Sequence, residues 1–131
     1  MAKIIRFCLK NEDKYGDNVF TVCRPSIFGN PYTHIKNKET KALYKVKSRD
    51  MAIDLYEEYF DQMLKEDQEF RDAWDKLYEA YKNYDEIYLG CFCDLSERCH
   101  SDIIAKKLKK RSVLEMLGNA ARQYEKDHPK V

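Results

Sequence analysis

The spacing of apolar and polar positions changes several times along the chain. Ile4, Ile5, Phe7 and Leu9 make Lys3–Leu9 a predicted strand. Asn11–Asn18, with Gly16 and Asp17, reads as a turn, and Val19–Cys23 as a second short strand expected to pair with the first as a hairpin. In the run Arg24-Pro25-Ser26-Ile27-Phe28-Gly29-Asn30-Pro31-Tyr32, two prolines and a glycine forbid regular structure. Ile27, Phe28 and Tyr32 favour burial, so this loop is expected to be ordered. Residues 33–47 are basic and weakly patterned, and read as an exposed excursion.

Helical spacing then takes over. Ser48 is a fitting N-cap for a helix through about Lys65, with Met51, Leu55, Tyr56, Tyr59, Phe60 and Met63 on one stripe. After Glu66–Asp67, Phe70, Trp74, Leu77, Tyr78 and Tyr81 predict a second helix, and this aromatic stripe reads as core. Asp85–Phe92 has the short apolar run of a buried parallel strand. Cys93–Arg98 reads as a loop and Cys99–Lys110 as a helix with Ile103, Ile104 and Leu108 inward. Ser112-Val113-Leu114-Glu115 has capping-box spacing and predicts a separate last helix over 112–126. This order predicts a small single α/β layered domain over 1–131, with a short mixed or parallel sheet and about four helices. Ligands of open α/β sheets bind beyond the carboxyl ends of strands, so the loops 24–32 and 91–100 are expected to converge on one site.

Composition narrows the class. The chain of 131 residues, 44% apolar and 36% charged, is one globular domain's worth. It lacks an apolar run of the roughly 18–20 residues that span a bilayer, and its first residues lack the apolar stretch of a secretory leader. The expectation is a cytoplasmic protein without a membrane partner. Five cysteines, an odd number, argue against a disulfide framework. The net charge of +1 hides segregation: residues 1–50 hold 11 basic and 5 acidic side chains, residues 51–97 hold 4 and 14, and residues 98–131 hold 9 and 4. The acidic middle argues against a broad nucleic-acid surface, whereas basic ends brought together would suit a phosphate.

Two constellations carry candidate chemistry. Cys91, Cys93, Cys99 and His100 fall within ten residues, followed by Asp102. They fit zinc by ligand type, but adjacent Cys99 and His100 strain a shared tetrahedron, and no metal is the expectation. A second reading is a reactive pocket, with Cys93 or Cys99 as thiolate, His100 as acid/base and Asp102 as orienting acceptor, because a helix N-terminus favours an anion. A third makes the cysteines small buried apolar residues. Cys99 and His100 precede Ile103 and Ile104, so they are expected to face the loop side rather than the core. In the other constellation, Arg24 offers a guanidinium to a phosphate or carboxylate, while Ser26, Gly29 and Asn30 offer backbone N–H groups and an amide. The bland alternative is a structural turn.

Arg24-Pro25-Ser26 with Gly29-Asn30-Pro31, and Gly90-Cys91-Phe92-Cys93 with Cys99-His100-Ser101-Asp102, resemble the phage and bacterial family numbered 4326 among the domains of unknown function. The resemblance covers residues 3–108. Three positions depart from the family pattern: Tyr32 stands for Phe, Leu95 for Pro and Ser101 for Gly. The resemblance implies a phage-encoded domain acting inside a bacterial cell and implies no activity. Taken together, the residues suggest a pocket for a nucleotide or nucleoside-like ligand, lined by Arg24, Ser26, Gly29, Asn30 and Cys93, Cys99, His100, Asp102. The protein would act as a hydrolase or transferase, or sequester the ligand. The alternative is an inhibitor of a host protein that works through the acidic helix pair 51–82.

Overall fold

Ile87 and Leu89, two residues apart and so on one face of their strand, are almost wholly buried, and a buried strand's backbone needs hydrogen-bonding neighbours along both edges. The computed structural model describes residues 1–24, 26–33, 44–92 and 98–128. In it, strand β1 (Lys3–Cys8) and strand β2 (Val19–Thr21) flank a third strand, Glu86–Cys91. Two short strands, β3 (Tyr32–Thr33) and β4 (Tyr44–Lys45), form a separate parallel pair, so the central strand is β5. The main sheet has the order β1-β5-β2 and is parallel throughout.

The hairpin expected between the first two strands does not form. Each pairs instead with β5, whose apolar residues gain a covered ladder on both sides. Backbone bonds continue the ladder past the strand ends, from Leu9 N to Cys91 O at 2.9 Å and from Val22 N to Gly90 O at 2.9 Å. Gly90 lies opposite Phe7 in the register, and a Cβ there would sit 2.7 Å from the Phe7 ring, so the absence of a side chain lets the ring lie across the strand.

Helix α1 (Arg49–Glu66) starts at Ser48, whose Oγ accepts from Met51 N at 3.1 Å. Asp67 ends α1 with its backbone N–H on Met63 O, and starts α2 (Gln68–Asn83) by accepting from Phe70 N at 3.0 Å. The aromatic stripes of the two helices meet as the core. Phe60 packs edge-on against Phe70 and Trp74, with centroids 5.0 and 4.9 Å apart, and Phe28 joins them from the 24–32 loop.

The last two predicted helices are a single one, α3 (His100–Asp127), so the described residues hold three helices rather than about four. Ser112 does not cap a new helix. Its Oγ turns back onto Lys109 O at 2.9 Å, as a serine within a helix can, and no glycine or proline interrupts the run before Gly118. The buried stripe of α3 stops at Ser112, and Val113, Leu114, Met116, Leu117 and Tyr124 beyond it are exposed. Residues 34–43, most of the basic excursion, and 129–131 lie outside the described residues.

The segregated charge finds its use between helices. Arg98 reaches Asp50 and Asp54, Lys106 reaches Glu57, Lys107 reaches Asp61 at 2.7 Å, and Arg111 reaches Asp75 at 3.0 Å. The basic last third of the chain thus packs against its acidic middle. No helix among the described residues is long and apolar enough to cross a membrane.

Candidate functional site

Cys91 ends β5 and Cys99 is the N-cap of α3, so both thiols stand at the carboxyl end of the parallel sheet. Their Sγ atoms are 3.4 Å apart. Asp102 holds the helix start by accepting from the Cys99 backbone N–H at 3.2 Å, and Arg6 faces the same carboxylate at 3.7 Å. The next side chain, His100, lies with Nδ1 3.6 Å from Cys99 Sγ and Nε2 2.5 Å from the carbonyl oxygen of Val22. A carbonyl only accepts, so Nε2 carries a proton there and, in the neutral ring, Nδ1 turns a lone pair toward the thiol. A thiol, an imidazole and a group that orients the imidazole are therefore in contact, the relation from which thiol nucleophiles are built.

This cluster is inside the protein. Cys91 and Cys99 are 1% exposed and His100 is 7% exposed, contrary to the expectation that Cys99 and His100 face outward. Part of the cover comes from α1: Tyr56 packs edge-on against the imidazole at 5.0 Å. Burial, and secondarily Tyr59 and Cys99, raise the Tyr56 phenol well above its ordinary pKa. Its hydroxyl donates to Phe28 O at 2.6 Å. Ser101 is also buried, and its hydroxyl has no hydrogen-bond partner among the described residues.

The 24–32 loop is wrapped around its own arginine. Arg24 Nη1 donates to Asn30 O at 2.6 Å and Tyr32 O at 3.2 Å. The buried Asn30 amide donates to Ala52 O at 3.1 Å, and its Oδ1 accepts from Tyr32 N at 2.9 Å. Ser26 N–H bonds Cys23 O and Gly29 N–H bonds Ser26 O, whereas the Ser26 hydroxyl is buried without a partner among the described residues. A Cβ on Gly29 would meet the Arg24 backbone at 2.9 Å, so a glycine lets the loop close tightly. Pro25 lies outside the described residues.

The structure brings Arg24, Ser26, Gly29 and Asn30 together in one self-bonded loop, and Cys99, His100 and Asp102 together at the start of α3. Tyr56 touches both, through Phe28 O and the His100 ring, and Val22 ties β2 to His100. Cys93 lies outside the described residues, and with it part of the four-ligand zinc reading. Among the described residues no group of three or more His, Cys, Asp or Glu is arranged to hold a metal ion.

Neither Tyr56, read from the sequence only as part of a core stripe, nor Val22 was a candidate site residue. Tyr56 carried a signal, because a tyrosine in the middle of an otherwise core stripe must find a partner for its hydroxyl. Val22 acts through its backbone and carried none.

The family model for the domain of unknown function DUF4326 matches residues 7–110. The chain belongs to this family. The match spans both motif-bearing loops, the main sheet from Phe7 onward and α3 as far as residue 110, and it ends before the exposed stretch of that helix. The DUF4326 resemblance read from the two loops is thereby borne out. No curated protein and no solved structure matches the chain.

Proposed function

We propose that this domain binds a nucleotide or nucleoside-like small molecule at the carboxyl end of the β1-β5-β2 sheet, between the 24–32 loop and the start of α3. One observation carries the reading. The bond from His100 to the Val22 carbonyl joins the start of α3 to the chain two residues before Arg24, at the end of a parallel sheet where ligands of such sheets dock. The first N–H groups of α3 favour an anion at this place. In this reading Arg24 supplies charge opposite a phosphate, Ser26 supplies a hydroxyl, and Gly29 and Asn30 hold the loop in shape. Cys99 is the nucleophile of a hydrolase or transferase, His100 Nδ1 takes its proton, and Asp102 holds the helix start. Without turnover, the same pocket sequesters its ligand. Phage origin and action inside a bacterial cell belong to this proposal.

Inhibition of a host protein through the acidic helices 51–82 draws less support. Asp50, Asp54, Glu57, Asp61 and Asp75 are already engaged by Arg98, Lys106, Lys107 and Arg111 of the same chain. Native mass spectrometry with nucleosides and nucleoside mono-, di- and triphosphates tests the proposal. It expects one ligand per chain from this set, or a copurifying phosphate compound. A folded protein that binds none of them at millimolar concentration overturns it.

A further inference from the structure

Two buried thiols at hydrogen-bonding distance are one oxidation away from a covalent bond. Cys91 and Cys99 lie 3.4 Å apart, at the end of a strand and the start of a helix. Each is buried, yet each is one residue from solvent: Phe92, after Cys91, is 51% exposed, and Arg98, before Cys99, is exposed. A small local opening therefore suffices to admit a reagent the size of a peroxide. The imidazole that accepts from Cys99 is held in the needed tautomer by the Val22 carbonyl.

We propose that Cys91 and Cys99 are a reversible redox site that a hydroperoxide converts to a disulfide. Cys99 passes its proton to Nδ1 of His100, and the resulting thiolate attacks the terminal oxygen of the hydroperoxide. The O–O bond breaks, and the departing alkoxide, or hydroxide from hydrogen peroxide, takes the proton from His100. Cys99 is then a sulfenic acid. The Cys91 sulfur attacks it, the S–O bond breaks, and hydroxide leaves with the Cys91 proton as water. Two electrons pass from the two thiols to the peroxide, and one S–S bond forms. The bridge fastens the end of β5 to the start of α3. This inference is independent of the nucleotide reading, because it needs no ligand.

The test uses the full chain and hydrogen peroxide. Trypsin cuts after Lys82, Arg98 and Lys106, which puts Cys91 and Cys93 in one peptide and Cys99 in the next. After peroxide, alkylation and digestion, these two peptides are expected to be linked in most chains, with the loss of two hydrogens, and dithiothreitol is expected to separate them. The link should persist in Cys93→Ser and vanish in Cys91→Ser. Wild type and Cys93→Ser decide the matter even if Cys91→Ser fails to fold. Thiols that stay fully alkylatable after peroxide overturn the proposal. So does a link that Cys93→Ser abolishes, a bridge from Cys91 to Cys8, its register partner across the ladder, or thiols that react only after a chelator strips a metal from them.

Discussion

His100 reaches back 78 residues to put Nε2 2.5 Å from the carbonyl oxygen of Val22. That carbonyl lies one residue past β2, on the side that faces β5, where the ladder gives out, so the imidazole takes the place of the next rung. His100→Ala removes the donor and leaves a buried acceptor unmet. A loss of about 1–3 kcal/mol of stability is expected, read as a lower urea midpoint with an unchanged slope. A variant as stable as wild type would mean that the bond contributes little to the fold and that His100 is held there for its chemistry.

Asn30 makes two bonds with one amide, to Ala52 O and from Tyr32 N. Asn30→Ala should cost about 1–3 kcal/mol by leaving buried groups without partners. Asn30→Asp keeps the acceptor for Tyr32 N but sets a carboxylate against the Ala52 carbonyl, and it should cost more than the alanine. Equilibrium unfolding of the two variants side by side checks this order.

Two glycines should respond oppositely to alanine. At Gly90 the new methyl meets the Phe7 ring at 2.7 Å inside the core, and overpacking of this kind costs about 1–3 kcal/mol. At Gly118 the nearest atom is the tip of Arg122 at 3.7 Å, and alanine favours a helix over glycine by about 1 kcal/mol. Gly90→Ala should lower the melting temperature. Gly118→Ala should raise helical circular dichroism and slow amide exchange in the exposed end of α3, with little change in melting.

Stability should fall at both ends of the pH scale for separate reasons. Burial first, and the hydrogen bond to Glu115 second, raise the Tyr78 phenol to about 12. Its folded pKa lies above its unfolded one, so the stabilisation is complete below about pH 10 and is lost as pH climbs toward 12. Glu57 is lowered chiefly by its hydrogen bond from Lys106, and Glu115 chiefly by that from Tyr78. Their contribution is present above the ordinary glutamate value of 4.5 and is lost as pH falls below it through their folded values. Thermal melts against pH should show both limbs. Glu57→Gln should flatten the acidic one, and Tyr78→Phe should soften the alkaline one.

Much of the fold was legible in the chain because local chemistry wrote it. Ser48 caps where its side chain can reach a free N–H, Glu66–Asp67 marks the break between two helices, and the aromatic spacing of α1 and α2 could only be a core stripe. The hairpin failed because pairing is chosen by the strand that needs two neighbours, and β5 lies far along the sequence from β1 and β2. The break at Ser112 failed because a capping sequence acts only where the backbone has left the helix, and nothing before it makes the backbone leave. At the candidate site, residue types named Cys99, His100 and Asp102, but the burial of Cys99 and His100 is set by tertiary packing, with Tyr56 of another helix against the imidazole. The clasp on His100 came from a main-chain carbonyl, which no side-chain pattern reports.

The placement of β5 between β1 and β2 also sets an order of assembly. As the chain is synthesised, both flanking strands emerge with nothing to pair with, and they wait through the whole of α1 and α2 until residues 86–91 follow. The two helices, turning about Asp67, can join through short-range contacts in the meantime, whereas the sheet closes only through contacts distant in sequence, which form slowly. The Val22 carbonyl waits longer still, for His100. In a ribosome-bound chain stopped short of β5, the helix pair should therefore resist protease while the first twenty residues remain open to it.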